Sequence, residues 1–378
     1  MGSGGSTRKA YEVQDDNAIK RSLEIDQYLD EESNKEQPRR VLLLGTGNSG
    51  KTTMLKQFKA QFAPKPTEEQ VKACREIISQ NIIHGLILLV EFLEGTNKKH
   101  LLKSETLGLK DVLRNQVLAA GLTIWDEDAS GTMYSKMVRI VWNDPEVQRT
   151  ERLSHTISDN EYQTIYFMKR LDTIVEPDYL PSEQDMLRMR SKTKGLHVVE
   201  LEIPDNPKLE VIDVGGQQNE RKKWIHVFDN VDCVVFIFSL GDIDKRLLED
   251  NTGSRYDDAV ECFREIVSNP QFRNTGFIVL MNKVDMLRRM LDEDRDLMHR
   301  RFPDYPGRLG HYRDALIYLQ NEFQTIYAEN EEAEGAIVKQ IRPAVAFYPS
   351  TATDTENALK IIKGVKDSVF RNSINDIL

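Results

Sequence analysis

One segment of the chain has the composition of a phosphate-binding loop. Residues 45–52 have the sequence Gly-Thr-Gly-Asn-Ser-Gly-Lys-Thr, which matches G-x-x-x-x-G-K-[ST] without a mismatch. Glycines allow backbone N–H groups to turn inward around phosphate oxygens. Lys51 supplies a positive charge for the β- and γ-phosphates, and the Thr52 hydroxyl is a candidate magnesium ligand. We predict nucleotide contacts from Gly45, Asn48, Ser49, Gly50, Lys51, Thr52 and Thr53. The loop by itself does not distinguish ATP from GTP.

A second segment, Asn282-Lys283-Val284-Asp285, carries polar groups suited to reading a nucleobase. The Asp285 carboxylate can accept hydrogen bonds from both the ring N–H and the exocyclic amine of guanine, and adenine offers no matching donor pair. Asn282 would hold the loop and contact the base edge, while the stem of Lys283 would cover the ring face. Ala352 lies in a late Ser-Thr-Ala-Thr turn and could donate its backbone N–H to the guanine carbonyl. Downstream of a phosphate loop, the segment favours guanine.

A third segment, Asp213-Val214-Gly215-Gly216-Gln217, is suited to sensing a γ-phosphate. Asp213 would hold magnesium through a water molecule, Gly216 could bring its backbone N–H to the γ-phosphate, and Gln217 could orient the attacking water. In isolation such a segment is usually a turn at the end of a strand. The order of the three segments along the chain indicates a nucleotide-hydrolysing site instead.

The elements that must position these segments follow from the hydrophobic pattern. Strands are predicted at Arg40–Gly45, His197–Ile203, Leu209–Asp213, Cys233–Ser239, Phe277–Asn282 and Val345–Tyr348. Helical segments separate the later strands, which is the pattern of a parallel sheet with crossover helices. Between the first two strands the pattern is almost entirely helical. We therefore predict an α/β domain made of residues 37–62 and 182–378, interrupted by an all-α insert of residues 63–181 and preceded by a leader and helix in residues 1–36.

Composition limits the class of protein. Of the 378 residues, 39% are hydrophobic and 30% are charged, which is typical of a globular chain. The net charge of -10 disfavours nonspecific nucleic-acid binding. Three cysteines without metal-ligand spacing favour a reducing, intracellular compartment. The longest apolar run, Ile82–Leu93, is too short to span a bilayer and is predicted to be a buried core helix.

The first residues allow two interpretations. Residues 1–6 match the pattern for N-myristoylation of Gly2, and the alternative is a flexible glycine/serine leader or a cloning remnant. A single myristoyl chain gives only marginal attachment, so peripheral membrane association is possible. Ile19, Leu23 and Leu29 have roughly helical spacing, which indicates either an amphipathic helix that docks on a partner or a solvated helix.

The motifs resemble those of heterotrimeric G protein α subunits. Residues 213–224, from the Asp-Val-Gly-Gly-Gln segment to Trp224, are similar to the second switch of that family. Residues 178–193 are similar to its first switch, and residues 351–355 resemble its late base-contacting loop. The resemblance implies a Ras-like P-loop GTPase domain with an inserted all-α domain, magnesium as cofactor, GTP as substrate and GDP as product. That organisation agrees with the one predicted from the hydrophobic pattern.

Further site residues come from the resemblance alone. Arg190 would be the arginine supplied in cis to stabilise charge on the transferring phosphoryl group, for which this family is the general example. Thr193 would be a second hydroxyl ligand of magnesium, and Leu187 and Arg188 would contact nucleotide. The implied partners are a βγ dimer, a G-protein-coupled receptor, effectors and GTPase-activating regulators. The implied location is cytoplasmic, at the inner face of the plasma membrane.

Three positions depart from the family pattern. Asn48 stands where glutamate is usual, Gln218 where arginine is common and Lys194 where threonine is common. These departures motivate an alternative hypothesis, a nucleotide-loaded binding switch with negligible intrinsic hydrolysis. The presence of Arg190 and Gln217 opposes it. A second alternative is an ATP-using phosphotransferase, which Asp285 in its motif opposes.

Overall fold

The computed structural model describes residues 37–96, 99–149, 159–191, 193, 195–204, 206–247, 253–335 and 344–375. The predicted leader and helix in residues 1–36, including Gly2, lie outside the described residues, as does Lys194. The strands are β1 Arg39–Leu44, β2 Leu196–Leu201, β3 Leu209–Val214, β4 Cys233–Ser239, β5 Gly276–Asn282 and β6 Ala346–Ser350. The helices of the first half are α1 Lys51–Phe62, α2 Glu68–Glu94, α3 Ser104–Val112, α4 Tyr134–Trp142, α5 Pro145–Arg149, α6 Asp159–Met168, α7 Leu171–Ile174 and α8 Glu183–Arg188. Those of the second half are α9 Gln218–Arg221, α10 Arg255–Val267, α11 Val284–Glu293, α12 Leu297–Arg301, α13 Tyr312–Gly335 and α14 Thr355–Asn375.

The strands form one sheet in the order β2-β3-β1-β4-β5-β6 within the described residues. β1 pairs in parallel with β3 on one side and β4 on the other, and β5 and β6 continue the parallel ladder. β2 alone is antiparallel, pairing with β3. All six predicted strands are present, with ends that differ by no more than two residues. The predicted α/β fold with a mostly parallel sheet is confirmed, and chain order reverses beside β1, where open parallel sheets bind ligands at their carboxyl ends.

Both faces of the sheet are covered by helices. On one face, Phe238 of β4 stacks on Phe323 of α13, with ring centroids 4.1 Å apart. On the other face, Ile237 packs in a cluster with Phe58 of α1 and Ile361 of α14. Every residue of β4 is buried because both of its faces are covered, and this explains the apolar run from Cys233 to Phe238. The central strands are therefore rigid supports for the loops that follow them.

A third apolar cluster is built from residues 78–179 and surrounds α2. A capping box between Thr67 and Gln70 begins this helix. A Cβ added to Gly85 would lie 1.7 Å from Thr164 Oγ1, so glycine is required where α2 and α6 approach closely. Among the described residues, α2 is long and apolar enough to cross a membrane by length and composition, but 56% of its most apolar window is buried inside the protein. The predicted core helix at Ile82–Leu93 is confirmed, and the limits of the insert at residues 63–181 stay a prediction.

Candidate functional site

The turn between β1 and α1 is shaped by two glycines that no other residue could replace without a clash. Gly45 has φ +138°, and an added Cβ would lie 2.0 Å from the Ile237 carbonyl oxygen. Gly50 has φ +110°, and its Cβ would lie 2.1 Å from Asn282 Nδ2. Within the part of the chain that the structure describes, no side chain caps the N-terminus of α1, and residues 50–53 line an open cleft. An uncapped helix end of this kind is suited to binding an anion such as phosphate.

Lys51 supplies the positive charge of this turn. Its side chain is buried, and Nζ donates hydrogen bonds to the carbonyl oxygens of Gly45, at 2.9 Å, and Thr46, at 2.7 Å. Burial lowers the pKa of Lys51 from 10.5 to about 8, although the Asp213 carboxylate opposes the shift. Gly216 lies directly beside the ammonium, since a Cβ there would be 2.2 Å from Nζ. An anionic ligand at this point would favour the charged form of Lys51.

Three oxygen-bearing side chains converge below the loop. Thr52 Oγ1 lies 2.6 Å from Thr193 Oγ1 and donates to Asp213 Oδ2 at 2.7 Å. Burial raises the pKa of Asp213, and the charge of Lys51 opposes the shift. Among the described residues, Asp213 Oδ1 is buried without a hydrogen-bond partner. Two hydroxyls and a carboxylate with an unused oxygen are the hard donors that Mg²⁺ takes, so these residues fit the ion.

Asn282 joins the phosphate turn to both base-reading loops. Its Nδ2 donates to the Ser49 carbonyl at 2.7 Å, and its Oδ1 accepts from the Ala352 N–H at 3.0 Å. The Ala352 N–H, which could donate to a guanine carbonyl, donates to Asn282 here, and its contact with nucleotide stays a prediction. Asp285 lies on the first turn of α11, and Thr351 Oγ1 donates to Asp285 Oδ1 at 3.4 Å. The carboxylate is therefore held at the edge of the cleft.

Arg190 is held at both ends by amide side chains. Its Nη2 donates to Asn48 Oδ1 at 2.7 Å. Its backbone N–H donates to Asn81 Oδ1 at 2.5 Å, and its carbonyl accepts from Asn81 Nδ2 at 3.0 Å. Asn48 is one of the three departures from the family pattern, at a position where a glutamate carboxylate could form an ion pair with Arg190. The structure shows that the neutral amide oxygen takes the arginine instead, so a contact is kept but the ion pair is not.

The predicted site residues lie around one cleft. All of them line it except Gly45 and Asp213, which are buried. Gln217 is exposed, and its Cγ would be 3.5 Å from a Cβ added to Gly47. Leu187 and Arg188 also line the cleft. Gln218, the second departure, turns away from the cleft and donates to Asp258 at 2.9 Å.

Several residues that position the segment leading to Arg190 could not be recognised in the sequence. Lys56 Nζ donates to the carbonyls of Met186, at 2.9 Å, and Met189, at 2.7 Å, and burial lowers the pKa of Lys56 to about 8. Asp185 is fully buried and accepts from Arg170 Nη1 at 2.5 Å. Only the capping-box spacing of Ser182 and Asp185 is visible in the sequence. Side chains that bond to distant backbone groups leave no local pattern.

Comparison with known proteins agrees with this geometry. The model of a protein family described as G-protein alpha subunit matches residues 19–369. The guanine nucleotide-binding protein alpha-9 subunit of Dictyostelium discoideum is 31% identical over 360 residues, covering 95% of this chain and 96% of the relative. The alpha-7 subunit of Caenorhabditis elegans is 29% identical over 368 residues, covering 95% and 97%. The alpha-2 subunit of Caenorhabditis briggsae is 29% identical over 355 residues, covering 91% of each chain.

Proposed function

This chain belongs to the G-protein alpha subunit family, and from that premise we propose how its residues hydrolyse GTP and with which partners it signals. The protein is a guanine-nucleotide-binding signal transducer that hydrolyses GTP to GDP and phosphate. The observation that carries the residue assignments is the single cleft lined by Lys51, Arg190, Gln217 and Asp285. The cleft thus combines two cations, one for phosphate and one for the transition state, with an amide that can orient water and a carboxylate that can bind guanine.

Nucleotide is bound from both ends of the cleft. The N–H groups of the phosphate turn and the Lys51 ammonium hold the β- and γ-phosphates. The Asp285 carboxylate accepts from the guanine ring N–H and amine, and leaving it unpaired against adenine would be costly. Asn282 keeps the two ends at a fixed separation through its bonds to Ser49 and Ala352. This coupling supports selection of guanine nucleotides over ATP.

Mg²⁺ is the proposed cofactor. Thr52 and Thr193 would hold it through their hydroxyls, and Asp213 would hold it through water, using the oxygen that has no partner within the described residues. When bound, the ion neutralises charge on the β- and γ-phosphate oxygens.

Hydrolysis proceeds by in-line attack of water on the γ-phosphorus. Gln217 orients the water, and the water oxygen forms a bond to phosphorus while the bond to the β–γ bridging oxygen breaks. GDP leaves with the electron pair of that bond, and the proton of the water passes to the released phosphate. Lys51 and Arg190 stabilise the negative charge that develops during this step. Arg190 can leave Asn48 for the phosphoryl group at low cost, because its partner there is a neutral amide rather than a carboxylate.

Loss of the γ-phosphate releases both switch segments and changes which partners bind. It removes the acceptor for the Gly216 N–H, and the segment after Gly216 is connected to Trp224, whose Nε1 donates to the Gly215 carbonyl at 2.8 Å. A small change at the phosphate is thereby transmitted to a large aromatic side chain.

The partners we propose are a βγ dimer, a G-protein-coupled receptor, effectors and GTPase-activating regulators. Exposed apolar side chains on β2 and after the second switch support a protein-binding surface there: Leu196 is 48% exposed, Val198 47% and Ile225 59%. The net charge of -10 supports partners other than nucleic acid. The Gly2 pattern supports a cytoplasmic location at the inner face of the plasma membrane, by peripheral attachment.

Single-turnover phosphate release from preloaded GTP, started by adding Mg²⁺, tests the residue roles. We expect Gln217→Leu and Arg190→Cys to reduce the rate at least 100-fold while GTP binding changes little. Gln218→Leu is the matched control, because the neighbouring glutamine bonds to Asp258 outside the cleft and should leave the rate near that of the parent. Equally slow release in the parent and in both variants would instead support the binding switch with negligible hydrolysis.

A further inference from the structure

Asn81 connects Arg190 to the apolar cluster of residues 78–179 that surrounds α2, which we call the helical cluster. It lies on α2, between Ile78 and Ile82, whose side chains are fully buried in that cluster. The neighbouring polar residue Gln80 makes its hydrogen bond within the cluster, since its side chain donates to the Leu122 carbonyl at 2.7 Å. Asn81, by contrast, makes its hydrogen bonds outside the cluster, to Arg190, which lies 109 positions later in the chain. Its side chain therefore projects from a rigid support.

The contact is specific to an amide. Asn81 Oδ1 accepts from the Arg190 N–H, and Asn81 Nδ2 donates to the Arg190 carbonyl. One planar group thus satisfies both backbone groups of a single residue, as a neighbouring strand would. A carboxylate could accept from the N–H but would face the carbonyl oxygen with a second acceptor. An alanine could make neither bond.

We infer that Asn81 is a positioning residue for GTP hydrolysis, which fixes the Arg190 backbone so that the guanidinium reaches the phosphate turn. The inference rests on the catalytic role proposed for Arg190. Lys56 holds the preceding carbonyl, of Met189, from α1. Arg190 is thus fastened to the helical cluster by its backbone and to the phosphate turn by its guanidinium, on Asn48. Through Asn81, the hydrolysis rate depends on whether the helical cluster is docked against the cleft.

The test measures single-turnover hydrolysis at saturating Mg²⁺ for Asn81→Ala, Asn81→Asp and the matched control Gln80→Ala. We expect both Asn81 variants to hydrolyse GTP roughly tenfold more slowly than the parent, equivalent to ~1.4 kcal/mol on the barrier. Affinity for a non-hydrolysable GTP analogue should change less than about threefold. Gln80→Ala, which loses a bond within the cluster only, should keep the parent rate.

A double-mutant cycle separates positioning from a general structural effect. Because Asn81 acts through Arg190, adding Asn81→Ala to Arg190→Cys should produce no further loss. A parent-like rate in both Asn81 variants, or an equal loss in the Arg190→Cys background, would overturn the inference. If Arg190→Cys itself keeps the parent rate, the proposed role of Arg190 fails instead. Unfolding temperatures of the GDP-bound variants identify misfolding, and Asn81→Asp preserves side-chain size if alanine proves disruptive.

Discussion

Replacing Asn282 by alanine tests whether the junction between the phosphate turn and the base-reading loops determines nucleotide affinity. The Asn282 side chain is 2% exposed and makes three hydrogen bonds, to the Ser49 carbonyl at 2.7 Å, the Ala352 N–H at 3.0 Å and Ser350 Oγ at 3.2 Å. The Ser350 hydroxyl can rotate to another acceptor, but the two backbone groups cannot. Alanine therefore leaves one buried carbonyl and one buried N–H without these partners.

The magnitude follows from those two groups. Each unsatisfied buried group costs about 1–3 kcal/mol, so the pair costs ~2–6 kcal/mol, and water entering the space left by the amide favours the lower end. The loops of the nucleotide-free protein can relax so that water reaches both groups, whereas bound GDP holds the loops closed. We therefore assign ~2–3 kcal/mol of the cost to binding, which corresponds to roughly 30-fold to 150-fold weaker GDP binding. The assays are GDP titration by calorimetry and thermal unfolding with and without GDP. Asn206→Ala is the control, because that exposed amide bonds only to the nearby Pro204 carbonyl.

For the Asn282→Asp variant, we expect the loss of GDP affinity to depend on pH. The carboxylate can still accept from Ala352 and Ser350, but its second oxygen faces the Ser49 carbonyl. Burial raises the pKa of such a carboxyl group, and its protonated form can donate to Ser49. The affinity deficit relative to the parent should therefore shrink as pH falls from about 8 to about 6. GDP affinity of Asn282→Ala within fivefold of the parent, with an unchanged unfolding temperature, would refute this account of the junction.

Two further predictions concern Lys51 and Gly216. The pKa of Lys51 is lowered to about 8 and bound phosphate favours the charged form, so GDP binding should take up a proton above that pH and weaken roughly sixfold between about pH 7 and pH 8.8. Calorimetry in two buffers of different ionisation heat measures this uptake, and its absence throughout the range would contradict the assignment. In Gly216→Ala, the added Cβ would lie 2.6 Å from the Gly45 carbonyl oxygen and 2.7 Å from that of Thr46, so the second switch cannot close over the γ-phosphate. GDP binding should persist, while the GTP-induced change in Trp224 fluorescence and single-turnover hydrolysis should be lost; a parent-like fluorescence change would count against the steric argument.

Much of the fold could be predicted from the sequence because the signals are local. The strand predicted at Cys233–Ser239, which is apolar as far as Phe238, has the same limits in the structure. The glycines at 45 and 50 were predicted to shape a phosphate turn, and their backbone conformations require glycine. Periodicity did not predict that β2 pairs antiparallel with β3, because alternation fixes which face a side chain occupies but not the direction of the neighbouring strand.

The contacts around Arg190 could not be predicted in the same way. Asn48 was predicted to contact nucleotide and was recognised as a departure from glutamate, but its bond to Arg190 was not predicted. That bond depends on a backbone with φ +62° and on an arginine 142 residues away. Lys56 had the pattern of an ordinary helix lysine, and Asn81 that of one polar residue in a long apolar helix. The partner of the Ala352 N–H also depended on where β5 and β6 end relative to each other.

The chemistry of the site could therefore be predicted from short windows of residues, because backbone conformation, strand formation and the order of the three nucleotide-binding segments can be recognised locally. The way in which Arg190 is held depends instead on the packing of elements that are distant in the chain. The packing of α2 in its own apolar cluster sets the position of Asn81, and the turn after β1 sets that of Asn48. Hydrogen bonds between residues more than a hundred positions apart require the packed position of whole helices, which no local pattern of residues specifies.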